Sequence, residues 1–181
     1  WVIKGGVGKS FKAPSIAQSD PTYVEIACRG YCVTVGNEDL KPETATSYEL
    51  GTFYQNDRLQ AGIMFFQTDI EDMISTETTR LIRVNGQIVA ADPVLTTYNQ
   101  PHVRIKGYEL QGNYLLSDRI GLRANYTYSD ARDRDTDEPI RNSPQHIANL
   151  GADWQALPKL GLNLDYQYTG SQYLYDVARS G

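Results

Sequence analysis

The stretch IGLRANYTYS, residues 120–129, decides the fold of this chain. Every second residue from Ile120 through Leu122 to Tyr128 is apolar or aromatic, and the residues between them are Gly or polar. Successive side chains of a β-strand point to opposite faces of the sheet. The alternation therefore predicts a strand with one apolar and one polar face.

Five further segments alternate in the same way: 48–55, 59–66, 108–114, 148–154 and 160–168. Residues 1–10 form a less regular seventh, with Trp1, Ile3 and Val7 on the apolar side. No segment shows a sustained helical period. The chain is predicted to be all-β.

The connections between these segments alternate between long and short along the chain. Three are tight and polar (56–58, 117–119 and 157–159), and three are long (about 11–46, 69–102 and 131–145). Long loops at one end and short turns at the other are typical of outer-membrane β-barrels. The Tyr residues at the ends of the apolar stripes match the aromatic girdles of such barrels, and the polar face suits a wet lumen. That face includes Glu49, Gln111, Asn113, Arg123, Asn125 and Asp165.

Composition agrees with this interpretation. Of 19 aromatic residues 13 are Tyr, and the net charge of -5 disfavours a nucleic-acid-binding protein. No segment approaches the ~20 apolar residues of a membrane-spanning helix. Seven strands with two open edges cannot close into a barrel in lipid. The sequence starts at Trp1, with neither an initiator methionine nor a signal peptide, so we expect a fragment.

Two cysteines, Cys28 and Cys32, lie in one polar segment. They are too few for a four-ligand metal site, and their spacing differs from that of a redox C-x-x-C pair. We predict a local disulfide in an oxidising compartment, with two free thiols as the alternative.

The segment KGGVGKS, residues 4–10, suggests a different function. It is similar to the variant phosphate-binding loop of certain ATPases. That loop requires a helix to begin directly after it, and Pro14 lies where the second turn would be. Nucleotide binding is therefore a remote alternative. The sequence contains neither HExxH nor GxSxG, and we do not expect an enzyme.

Four segments resemble the barrel of TonB-dependent outer-membrane receptors, in the order of that family. They are GKSFKAPS at 8–15, GNEDLKPET with SYELG at 36–51, VRIKGYEL at 103–110 and SPQHIAN at 143–149. The resemblance implies an antiparallel transmembrane β-barrel of 22 strands, of which residues 1–181 supply about seven from its later part. The plug domain and the closing strands would lie outside this segment.

The resemblance also implies a function and partners. The receptor would import an iron–siderophore complex across the Gram-negative outer membrane, in contact with its lipid. Energy would come from the TonB–ExbB–ExbD complex through the plug, and a colicin or phage could be a further partner. The ferric siderophore would be the transported ligand, with no resident cofactor. A receptor for another metal chelate (heme or cobalamin) and a passive porin are the alternatives.

Within the family, the long first loop with its Cys pair is most similar to that of catecholate siderophore and colicin receptors. Iron-loaded catecholates are bulky, anionic and aromatic, so their binding favours Lys or Arg beside Tyr. The candidate ligand-binding residues in the first two long loops are Lys12, Tyr23, Arg29, Tyr31, Arg80, Arg83 and Tyr98.

Overall fold

The fold is an extended antiparallel sheet in a computed structural model that describes residues 1–27, 32–79, 82–84, 87–89 and 94–173. One helical turn, α1, covers Ile16–Ser19. The strands are β1 (Val2–Lys12), β2 (Val24–Ala27), β3 (Cys32–Val35), β4 (Glu43–Gln55), β5 (Leu59–Thr79), β6 (Ile82–Val84), β7 (Gln87–Val89), β8 (Val94–Ser117), β9 (Ile120–Asp133), β10 (His146–Leu157) and β11 (Leu160–Thr169).

The predicted seven strands form the main path of the sheet, in the order β1-β4-β5-β8-β9-β10-β11. Strand β3 pairs with β2 and also, in parallel, with β8, whereas β6 and β7 form a separate hairpin. The short turns fall where the sequence predicts them. In the first, Asn56 Oδ1 accepts the N–H groups of Arg58 and Leu59 at 2.9 and 2.7 Å, which closes the chain tightly.

The register of the last three strands confirms the predicted faces. Ala152 of β10 lies between Leu122 of β9 and Leu164 of β11. In the next row on the opposite face, Gly151 lies between Arg123 and Asp165. Apolar and polar residues therefore align across the strands in separate rows, and a shift of one residue would exchange the two faces.

The apolar face of the sheet has no protein cover among the described residues. Leu164 is 70% exposed and Leu150 is 53% exposed. The buried hydrophobic residues in the described part of the chain are Val103, Ile70 and Ala131. Such a large exposed apolar surface marks a surface made for contact with lipid or a partner. Among the described residues, no helix has the length and hydropathy needed to cross a membrane.

The structure corrects two predictions about the loops. Most of the predicted loop 69–102 is strand, because β5 continues to Thr79 and β8 begins at Val94. The predicted loop 11–46 contains α1, β2 and β3 and the start of β4. A strand leaves a period-two signal only where one face is apolar and the other polar, and these extended parts do not alternate in that way.

The possible phosphate-binding loop is a strand. Residues 4–10 lie within β1, and α1 begins only after Pro14 and Ser15. A single turn at that distance cannot present its N-terminal amides to a phosphate held by residues 4–10. The nucleotide-binding alternative is therefore wrong.

The described chain forms two compact units. We call residues Trp1–Gly8, Thr46–Asp69 and Arg104–Gly181 the barrel unit. Residues Lys9–Ala45 and Ile70–Val103 form the loop unit.

Candidate functional site

The loop unit contains all seven predicted ligand-binding residues. Lys12 is exposed at the end of β1, and Tyr23 is 37% exposed just after α1. Tyr98 is half-buried in β8. These three positions are placed by the structure, and their part in ligand binding stays a prediction.

The other predicted residues lie in part outside the described residues. Arg29, Tyr31, Arg80 and Cys28 are not among them. Arg83 and Cys32 are described as backbone positions, in β6 and β3 respectively. The disulfide and the four arginine and tyrosine assignments therefore remain predictions.

A side-chain turn sets the path of the chain into Tyr23. Asp20 Oδ1 accepts the N–H of Thr22 at 2.8 Å and its hydroxyl at 2.6 Å. These hydrogen bonds stabilise the carboxylate and lower the pKa of Asp20 below its usual value. The N–H of Tyr23 donates to the Asp20 carbonyl at 3.0 Å. Asp20 thus closes the turn that presents Tyr23.

A second cluster of hydrogen bonds fastens the chain that follows Tyr23. Asn37 Nδ2 donates to the Thr97 carbonyl of β8 at 2.9 Å, and Asn37 Oδ1 accepts the Asp39 N–H at 3.0 Å. The backbone N–H of Asn37 donates to the Gln18 carbonyl of α1 at 2.7 Å. One residue therefore connects α1, its own turn and β8.

Two neighbouring side chains extend this cluster to β5. Asn99 Oδ1 accepts the Lys41 N–H at 2.8 Å, while Asn99 Nδ2 donates to the carbonyls of Lys41 and Asp72 at 3.0 and 2.7 Å. Glu43 Oε2 accepts the Ile74 N–H at 2.9 Å. We call Asn37, Asn99 and Glu43 the clamp. Sequence reasoning missed it, because the side chains bond to residues that are 27 to 60 positions away in the sequence.

The polar face of the barrel unit carries an ion-pair cluster. Arg123 bonds to Asp153 and, through Nη2 at 2.6 Å, to Asp165. Its guanidinium reaches Asp165 on β11 by lying over Gly151, where a Cβ atom would collide with the Arg123 side chain. Both carboxylates are more than half exposed, which fits a water-filled interior.

Part of the face predicted to be polar is apolar. Phe53, Met64 and Phe66 line a hollow of about 520 Å³ together with two carboxylates, Glu49 and Glu109. The period-two pattern does place these residues on that face, but it gives no reason for aromatic groups there. A contiguous apolar patch on an otherwise polar face is typical of a contact surface.

The apolar face carries an aromatic cluster at the start of β10. Tyr126 Oη and His146 Nδ1 share a hydrogen bond of 2.7 Å, and the ring of Tyr128 lies 5.3 Å from that of His146. Tyr108 contacts both Tyr rings, at 6.0 and 5.6 Å. Tyr and His have an apolar ring and a polar tip, so they suit the boundary between lipid and water. His146 is the first residue of β10.

The comparison with protein families decides the identity. The family model "TonB dependent receptor-like, beta-barrel" matches residues 1–181. The chain belongs to this family. The predicted receptor resemblance, the all-β barrel fold and the location in the Gram-negative outer membrane are thereby confirmed.

Individual relatives show which members of the family this chain is similar to. The ferric enterobactin receptor PirA of Pseudomonas aeruginosa is 30% identical over 184 residues, which are 95% of this chain and 24% of that protein. The crystal structure of the siderophore receptor PirA of P. aeruginosa has a TM-score of 0.72 and 27% identity, over 94% of this chain and 31% of that one. A mutant of the P. aeruginosa receptor PfeA in complex with enterobactin has a TM-score of 0.71 and 27% identity, over 94% of this chain and 26% of that one.

This barrel segment spans about a quarter of the length of the curated relatives that it matches.

The geometry of the sheet explains why two positions of the receptor-like motifs are glycine. A Cβ at Gly107 would overlap the Tyr128 carbonyl oxygen of the next strand. A Cβ at Gly51 would lie 2.7 Å from the Ile63 carbonyl oxygen. Only glycine lets the backbones approach this closely.

Proposed function

We propose that this segment belongs to an outer-membrane receptor that imports a ferric siderophore of the catecholate type. Residues 1–181 would form a later part of its barrel domain. The work is selective capture at the outer surface and release into the barrel interior when a plug moves. It involves no covalent chemistry and no resident cofactor, and the energy comes from the TonB–ExbB–ExbD complex.

The observation that carries the proposal is the similarity to ferric enterobactin receptors along 94–95% of the chain. It includes the loop unit as well as the strands, and loops are where receptors for different ligands diverge. A relative with enterobactin bound is among the structures that the fold matches.

The chemistry of the loop unit supports the same ligand class. Lys12 presents a cation and Tyr23 an aromatic ring, both exposed. A ferric catecholate complex is anionic and has aromatic rings at its surface, so it gains from both kinds of contact. A passive porin would need neither.

Equilibrium binding of ferric enterobactin to the full-length receptor in detergent tests the proposal. Saturable binding is expected, with competition by other ferric catecholates and none by a ferric hydroxamate, heme or cobalamin. Competition by heme or cobalamin alone would indicate that the receptor imports that chelate instead. If no chelate binds saturably, a passive porin is favoured.

Variants test the assigned residues separately. Tyr23→Ala, and Arg29→Ala combined with Arg83→Ala, should each weaken ferric enterobactin binding about tenfold or more, since charge-assisted contacts contribute most to anion recognition. The matched control is Asn149→Ala, at an exposed position of β10 far along the chain from both loops. Unchanged affinity in the double arginine variant would remove those two residues from the site.

A further inference from the structure

We propose that Asn37 and Asn99 are positioning residues for ligand capture. They hold the chain that carries Tyr23 against the part of β8 that carries Tyr98, and so fix the arrangement of two candidate ligand-binding segments. The effect on ligand affinity rests on the proposed function, whereas the fastening of the chain can be measured without ligand.

Asn37 uses both ends of its side-chain amide at once. The amide nitrogen donates to the carbonyl of Thr97 on β8, a residue that is only 3% exposed. The amide oxygen accepts the Asp39 N–H within its own turn. An aspartate would keep the second bond and lose the first, because a carboxylate has no N–H to donate. Alanine would lose both and leave a buried carbonyl without this donor.

Asn99 makes a two-point contact with the backbone of one residue. Its amide accepts from the Lys41 N–H and donates to the Lys41 carbonyl, and it also donates to the Asp72 carbonyl of β5. Thr97 and Asn99 are two residues apart on β8, so the two contacts follow one another along the same strand. The segment from 37 to 41 is therefore held at both of its ends.

These contacts reach the candidate ligand residues through the backbone. The Tyr23 carbonyl accepts the Gly36 N–H at 3.4 Å, and Gly36 directly precedes Asn37. A Cβ at Gly36 would collide with the backbone of Asp20, so the two chain segments touch where the turn to Tyr23 begins. On the other side, Thr97 directly precedes Tyr98.

Fastening of this kind raises affinity without new ligand contacts. A binding segment that is already ordered does not lose that conformational entropy when the ligand arrives. When only a fraction of molecules holds the competent arrangement, the apparent Kd rises by the inverse of that fraction. Loss of the clamp should therefore weaken binding and leave the contacts within the complex unchanged.

The experiment compares Asn37→Ala, Asn37→Asp and Asn99→Ala with the control Asn149→Ala, all in the full-length receptor. Amide hydrogen exchange of Asp39 and Lys41 reports on the clamp, and titration with ferric enterobactin reports on affinity. We expect exchange at these amides about tenfold faster in both alanine variants and binding about three- to tenfold weaker, with thermal unfolding unchanged. Asn37→Asp should keep the Asp39 amide protected and still lose affinity, because only the bond to Thr97 is broken.

Two results would overturn the inference. One is unchanged exchange at Asp39 and Lys41 in the alanine variants. The other is faster exchange with unaltered affinity, which would leave the clamp with a purely local structural role. If the parent receptor binds no ferric enterobactin, the proposed function fails instead, and the exchange rates still show whether the clamp fastens the segment.

Discussion

Replacement of Gly107 by alanine should weaken the barrel, whereas the same change at Gly112 of the same strand should not. The added Cβ at 107 would overlap the Tyr128 carbonyl oxygen and come within 2.8 Å of the Phe66 ring. At 112 the nearest atom is the Gln60 carbonyl oxygen at 3.9 Å, an ordinary van der Waals contact. Because the clash at 107 is with a backbone atom, a rotamer change cannot relieve it.

The magnitude follows from these two environments. Overpacking of a close contact costs about 1–3 kcal/mol, while Gly→Ala at an unstrained position changes stability by about 0.4–1 kcal/mol in the favourable direction. The two variants should therefore differ by about 2 kcal/mol, roughly a thirtyfold change in the unfolding equilibrium.

Urea unfolding of the full-length receptor in lipid vesicles, followed by tryptophan fluorescence, measures this difference. Gly107→Ala should unfold at lower urea than Gly112→Ala, with the slope against urea unchanged. Equal midpoints for the two variants would refute the close approach of β8 and β9 at this position.

Three further predictions follow from the contacts of the described residues. Arg123→Ala should lower the urea midpoint only slightly, and less at high salt, because its partners Asp153 and Asp165 are largely exposed. Arg119→Ala, which breaks no ion pair among the described residues, is the control in urea unfolding at two salt concentrations. Tyr126→Phe should lower the urea midpoint because it removes the hydrogen bond to His146, and an unchanged midpoint would contradict that bond. The lowered pKa of Asp20 means that its turn is stabilised above its unfolded pKa of about 4 and loses this support as the pH falls through the folded value. The protection of the Thr22 amide, which is the ratio of its intrinsic to its observed exchange rate, should therefore fall in acid, and Asp20→Asn should abolish that pH dependence.

The lipid-facing part of the fold could be predicted from the sequence because its environment determines which residue types can alternate along each strand. A strand with lipid on one side and water on the other must alternate, and the rows through Ala152 and Gly151 follow that rule. A strand that does not separate an apolar from a polar environment is under no such constraint. The continuation of β5 to Thr79 and the start of β8 at Val94 carry no period-two signal, and they were not predicted as strands.

The clamp could not be predicted for a different reason. Asn37 and Asn99 bond to backbone groups of other segments. Every residue type has a backbone carbonyl, so the sequence does not show which residue such a side chain will bond to. The four-part receptor-like motif did include Asn37 and Glu43, but only the structure gives them a physical task. Tyr23 lies in a loop as predicted, whereas Lys12, predicted in the same loop, is the last residue of β1. The part of both residues in ligand binding stays a prediction.

The most direct test of the central claim is uptake of radioiron from ferric enterobactin by cells whose only receptor for it is the full-length protein. Uptake should be saturable and should stop when the proton gradient of the inner membrane is collapsed. It should also be lost in cells without TonB. Uptake that rises linearly with concentration and survives collapse of the gradient would contradict an energy-dependent receptor and indicate a passive pore.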